Sequence, residues 1–202
     1  IESSKIFFGN MRHWRTVNET LITFLTSKRM ITKYIDKLKL MGTKRHHPME
    51  LMLHEIYEKI DPFDPHATFR DHNLRGLEID AFKKHLISPG SILDFGCGNG
   101  YTLLSIAEDL DWPMIGVDYS QNMINGCKGL RDNWATPLKS EPEFLHQDCI
   151  TYISQIPNNS LNYILSARVL LNMPDQETQH QIIRDVHRSL KPGGRYLMCE
   201  GS

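Results

Sequence analysis

The chain has 202 residues, of which 40% are hydrophobic and 23% charged, and a formal net charge of −1. A chain of this length buries roughly 70% of its unfolded surface, so it needs neither a disulfide nor a metal to fold, and it has no apolar run of the roughly 18 residues a membrane-spanning helix requires. Four cysteines, Cys97, Cys127, Cys149 and Cys199, show neither CxxC nor zinc-site spacing and read as buried or half-buried free thiols of a reducing, cytoplasmic compartment. The first residues, IESSKIFFGN, lack the layout of a secretory signal and an initiator Met, so the chain is expected to begin inside a longer reading frame. Residues 1–48 hold ten Lys and Arg against three acids, which leaves the rest of the chain acidic. Such a basic arm either steers an anionic partner, nucleic acid included, or is a solvated helix face. It lacks interleaved aromatics, so nucleic acid is not the favoured partner.

The predicted elements follow in order. Apolar side chains at helical spacing predict a helix over 19–40, and a second over 49–60 that is stopped by Asp61-Pro62 and Asp64-Pro65. A third helix over 71–87 is expected to bury Leu74, Leu77, Ala81, Phe82 and Leu86. The rhythm then changes. Strands are predicted at 91–95, 114–118, 143–148, 161–167 and 194–200, and helices at 101–110, 120–134, near 150–155 and at 175–190. Short strands alternating with helices give a parallel, doubly wound α/β sheet with helices on both faces.

In such a sheet the ligand lies beyond the carboxyl ends of the strands, and four segments end there. The first, from Asp94 through Gly96, Cys97 and Gly98 to Gly100, is a glycine turn that lets backbone approach a ligand and opens a helix. Its GxGxG spacing departs from the dinucleotide GxGxxG, because position 101 is Tyr, which counts against NAD. The second ends at Asp118, whose paired oxygens suit a ribose diol, while Ser120 suits the helix cap. The third, Gln147-Asp148-Cys149, offers a carboxylate for an adenine amino group, or caps a helix. The fourth, Ser166-Ala167-Arg168, is small enough for backbone carbonyls to reach a cationic amino group, and Arg168 either clamps an anionic substrate or pairs with an acid.

Taken with LKPGGRYLMCE, the pieces ILDFGCGNGYTL, IGVDYSQNMI, FLHQDC and YILSARVLLNMPD resemble the class I S-adenosylmethionine-dependent methyltransferases of small-molecule type, over residues 71 to 202. The resemblance implies a Rossmann-like, mainly parallel sheet with S-adenosylmethionine as cofactor and S-adenosylhomocysteine as product. It implies that Gly96 and Gly98 line the methionine portion with Asp94 at its amino group. It further implies that Asp118 takes the ribose, that Tyr119 and Met123 flank the adenine, and that Asp148 and the N–H of Cys149 meet the adenine edge. Arg168 and Asn172 would face the acceptor, and Arg70, Asn73 and Arg75 would fold over the cofactor. The family's sheet carries two further strands after the fifth, so a C-terminally incomplete domain over 61–202 is expected, with residues 1–60 as a helical cap presenting Trp14, Tyr34 and Tyr57. The expected activity is O- or N-methylation of a small molecule. An RNA methyltransferase and a non-catalytic cofactor-binding module are the alternatives. No catalytic base, metal or oligomeric state is assigned.

Overall fold

A computed structural model describes residues 48–68, 71–173 and 175–200. The helix expected over 19–40, the basic surplus, Trp14, Tyr34 and Arg70 lie outside the described residues. The elements are α1 (Pro48–Tyr57), α2 (His72–His85), β1 (Ile92–Phe95), α3 (Tyr101–Ala107), β2 (Met114–Asp118), α4 (Gln121–Asp132), β3 (Glu143–His146), α5 (Cys149–Gln155), β4 (Leu161–Ala167), a 3-10 turn (Leu170–Asn172), α6 (Gln176–Ser189) and β5 (Leu190–Cys199). The five strands form one sheet in the order β3-β2-β1-β4-β5, and every pairing is parallel. The chain starts at the centre with β1, runs to one edge, and returns to lay β4 against the other side of β1. The order therefore reverses between β1 and β4, where doubly wound sheets hold their ligands.

Side chains alternate across the sheet as strand geometry demands. Ile92, Met114, Tyr163 and Leu165 face a core with Phe82, Leu104 and Ile124 from α2, α3 and α4. Leu93, Phe95, Val117 and Ile164 face the opposite core with Ile153, Ile182 and Val186 from α5 and α6. Both faces are covered, which is why the strands read as continuous apolar runs.

Two expectations are corrected. In α2 the buried residues are Arg75, Ile79 and Phe82, while Leu74 and Leu77 are 44% and 66% exposed and Ala81 is exposed. The helix is rotated because Arg75 points inward: its Nη1 donates to Pro65 O at 2.8 Å and its guanidinium lies over the Tyr101 ring. Apolar spacing alone cannot register a charged side chain that faces the sheet. LKPGG belongs to β5 rather than preceding it: Leu190 pairs with Leu161, the register then shifts, and Arg195 to Cys199 pair with Tyr163 to Ala167.

Residues 58–68 form a strap from α1 over the carboxyl edge. Asp61 and Asp64 each accept the N–H two residues on, from Phe63 and His66, the aspartate turns that end α1. Asn122 Nδ2 donates to the carbonyls of Tyr57 and Ile60 at 2.9 and 2.8 Å, and Asn99 Nδ2 to that of Asp64 at 2.8 Å. Pro62 is seated on α4 at Gly126, where a Cβ would stand 2.5 Å from the Pro62 carbonyl oxygen. Gly126→Ala should therefore destabilise the chain by about 1–3 kcal/mol through backbone displacement of the strap. Gly76→Ala, on α2 with nothing within 4 Å, should stabilise it by roughly 0.5–1 kcal/mol. Urea denaturation of the two variants checks the contrast; equal effects would place the strap elsewhere.

Candidate functional site

The glycine turn is hung from β2. Gly96 and Cys97 both donate their N–H to Val117 O, at 2.9 and 3.0 Å. Gly96, Gly98 and Gly100 have φ of 76°, 54° and 79°, the left-handed region that strains other residues. Gly98 N–H donates to Asp118 Oδ2 and Ser120 N–H to Asp118 Oδ1, each at 2.9 Å. Asp118 is thus fixed between the turn and α4, buried, and burial raises its pKa above the ordinary carboxylate value against the two backbone donors that lower it. Each of its oxygens keeps a second lone pair for another donor. Ser120 caps α4 by accepting from Met123 N at 3.2 Å, and its hydroxyl donates to Glu58 Oε1 at 2.7 Å, which brings a third carboxylate to this corner.

Asp94 ends β1 beside the turn. It is 4% exposed, and no hydrogen bond to its carboxylate is made among the described residues. Burial first, then the charge of Asp118, pushes it up to about 7, while Arg75 pulls the other way. Four buried polar side-chain atoms also have no hydrogen-bond partner among the described residues: Arg75 Nε, Asn99 Oδ1, Tyr119 Oη and His66 Nδ1. All four belong to residues around this edge: His66 stacks on His72 and meets Tyr101, under the same Arg75. Groups of this kind are expensive to bury unpaired, and a polar ligand with an amino group and hydroxyls would satisfy them.

Tyr119 follows β2 and meets His54 and Tyr57 of α1, with ring centroids 5.5 and 6.3 Å away. Met123 is fully buried in α4. Asp148 caps α5, accepting from Thr151 N at 2.7 Å. That leaves the N–H of Cys149, first residue of α5, without an intrahelical partner, while its thiol donates to Val117 O at 3.4 Å. Cys97 turns its thiol into the core under the turn, onto Gly98 O at 3.6 Å. Of the alternatives for Arg168, the structure shows the ion pair: Nη1 donates to both carboxylate oxygens of Glu78, at 2.6 and 2.7 Å. Asn172 donates through Nδ2 to Arg168 O at 2.7 Å, so its amide braces its own turn. Ser166, fully buried, shares a 2.8 Å hydrogen bond with Tyr196 Oη. His146 is exposed, with Nε2 against Tyr119 O at 3.0 Å.

Sequence reasoning missed Glu58, Thr68, Glu78, Asn99 and Glu200. The Thr68 methyl group lies 2.8 Å from where a Gly98 Cβ would stand. For Asn99 a signal existed, since an amide between two turn glycines is placed to tie a loop. The others are lone polar residues with no pattern around them.

A glycine turn, an acid at the end of the second strand and a reversal of strand order define an α/β domain for a nucleoside-containing ligand. Residues 92–194 match the family model described as "Methyltransferase domain", and the chain belongs to that family, whose cofactor is S-adenosylmethionine. It is 27% identical over 162 residues to a demethylmenaquinone methyltransferase of Oceanobacillus iheyensis, covering 78% of this chain and 61% of that protein. It is 32% identical over 115 residues to phosphoethanolamine N-methyltransferase 3 of Arabidopsis thaliana, covering 56% of this chain and 22% of that protein. The chain thus spans less than two thirds of these relatives. The fold is similar to that of the PH0226 protein from Pyrococcus horikoshii OT3, with a TM-score of 0.57 at 22% identity, over 71% of this chain and 64% of that one. No helix among the described residues is long and apolar enough to cross a membrane, and they hold no cluster of three metal-ligating side chains.

Proposed function

We propose that this chain binds S-adenosylmethionine at the carboxyl edge of β1, β2 and β4 and transfers its methyl group to a small-molecule acceptor. The observation that carries the reading is the buried Asp94 carboxylate, without a hydrogen-bond donor among the described residues and set beside a glycine turn. A dinucleotide would bring its anionic diphosphate to the glycine turn beside Asp94, and like charges in a low-dielectric site repel strongly. The ammonium end of S-adenosylmethionine is the complementary charge. The residues fit that cofactor: Asp94 for the ammonium, Arg75 for the carboxylate, Gly96 and Gly98 for close backbone approach. Asp118 would hold the ribose hydroxyls, Tyr119 an adenine face, and Asp148 with the Cys149 N–H the adenine edge, while Met123, fully buried in α4, would support the site from beneath rather than flank the ring as expected.

When bound, the cofactor supplies a methyl group already activated on a sulfonium. The protein's work is then alignment and exclusion of water. The strap over Gly98 and Asn99 excludes solvent, and the turn after β4, with Arg168 and Asn172, forms the wall on the acceptor side. The relatives named above carry a lipid quinone precursor and a phosphorylated amine in their names, and both are small molecules, which supports that acceptor class here.

Titration calorimetry with S-adenosylhomocysteine, and NAD in parallel, tests the reading. Saturable binding of the first alone is expected; binding of NAD alone, or of neither, would overturn it. The affinity should also depend on pH with a definite sign. Asp94, held near 7 by burial and Asp118, must be ionised to receive an ammonium, so affinity should fall by up to about tenfold per pH unit below that value. The ligand-free fold should show the reverse. A carboxylate raised by folding contributes stability at low pH that is lost as pH rises through the window from the ordinary carboxylate value to about 7. An affinity flat between pH 5.5 and 8 would remove Asp94 from the ammonium site.

A further inference from the structure

The turn that leaves β4 is held in an unusual state. Arg168 has a φ of 58°, left-handed although it is not glycine. Its N–H donates to Cys199 O at 2.7 Å, its carbonyl accepts from Asn172 Nδ2, and its guanidinium is paired with Glu78. The next three backbone N–H groups converge on one carboxylate. Glu200 Oε1 accepts from Val169 and Leu170, each at 3.0 Å, and Oε2 accepts from Leu171 at 3.2 Å. Cys199 ends β5 and Glu200 follows it, so the end of β5 grips the turn twice. Hydrogen bonds to an ionised acceptor are about twice as strong as neutral ones. A carboxylate engaged by three N–H groups is spent on holding backbone rather than on moving protons.

We propose that Glu200 is a positioning residue that sets the backbone of the 168–172 turn, and thereby the acceptor-side wall carrying Arg168, without contributing to the cofactor pocket. This rests on the assignment of that turn to the acceptor side in the proposed function. Glu200 acts through the turn and does not touch the cofactor.

The test is hydrogen exchange resolved to single amides, with S-adenosylhomocysteine titration, on the 202-residue chain and its Glu200→Ala and Glu200→Gln variants. In Glu200→Ala the amides of Val169, Leu170 and Leu171 should exchange at least about tenfold faster, with those of β1 and β2 unchanged. Glu200→Gln gives a sharper signature. Its carbonyl oxygen can still accept from Val169 and Leu170, but its NH₂ cannot accept from Leu171. Leu171 alone should then exchange faster, a split that general loosening cannot produce. In both variants S-adenosylhomocysteine affinity should stay within about twofold, as for independent sites. Unchanged exchange at all three amides would overturn the proposal, as would acceleration across the whole sheet in both variants. A tenfold or greater loss of S-adenosylhomocysteine affinity in Glu200→Gln would also overturn it, by placing Glu200 in the cofactor pocket. Should the unaltered chain bind no S-adenosylhomocysteine, the cofactor assignment fails instead, and the exchange pattern still decides for or against the clamp.

Discussion

Gly96→Val is expected to abolish S-adenosylhomocysteine binding while the far-ultraviolet circular dichroism of the chain persists. Two independent penalties meet at this position. The φ of 76° is one that a β-branched residue adopts only with strain. A Cβ there would also stand 2.6 Å from Val169 Cγ2, a buried side chain of the core beneath the reversal point. Relief of either requires the turn to move off Val117 O, and with it the approach of backbone to ligand. The expected loss exceeds about a hundredfold, or roughly 3 kcal/mol. Gly96→Ala should fall between, since it keeps the conformational penalty but drops the branching. Calorimetry on the two variants gives the comparison, and a Val variant within tenfold of the parent would place the ligand elsewhere.

The second large effect belongs to Asp118. Its carboxylate already accepts from Gly98 and Ser120, and the ribose hydroxyls are to share the same two oxygens. Asp118→Ala should therefore weaken S-adenosylhomocysteine by about 1.5–3 kcal/mol, the range for hydrogen bonds to a charged group. That corresponds to roughly a 10- to 150-fold rise in Kd. The variant also strands two N–H groups, so the melting temperature of the unliganded chain should drop in parallel. Affinity unchanged in this variant would refute the ribose assignment.

Much of the fold was legible because the physics that builds it is local. The central strands β1, β2 and β4 are largely buried on both faces and write themselves as short apolar runs. ILDF, MIGVD and LNYILSA were read within a residue or two of β1, β2 and β4. The glycine turn and Asp118 were legible for the same reason: a required backbone conformation and a required acceptor each restrict a single position. The misreading of α2 has the opposite origin. Its apolar residues are spaced for burial, but Arg75 reaches Pro65 O and Tyr101 from the inner face and fixes the rotation of the helix. The strap was not foreseen, since Asp61-Pro62 and Asp64-Pro65 read only as stops of a helix, and its hold comes from two asparagine amides that grip carbonyls more than thirty residues away. Glu78 and Glu200 were invisible for a related reason. Each meets its partners across 29 residues or more, and one acid in a chain with 24 acidic residues carries no pattern.

The reversal of strand order between β1 and β4 also divides the domain along its chain. Every residue assigned to hold the ribose and adenine precedes the end of α5, and the turn assigned to the acceptor follows β4, anchored by β5. Most of each task is thus encoded in its own stretch, with Glu78 of α2, the partner of Arg168, as a tie between them. Drift in the later stretch can change which molecule is modified while the earlier one keeps its ligand. On this arrangement a new specificity can arise by replacing residues after β4, provided the Glu78 that pairs with Arg168 and the Val169 that packs on Gly96 are kept or changed with their partners.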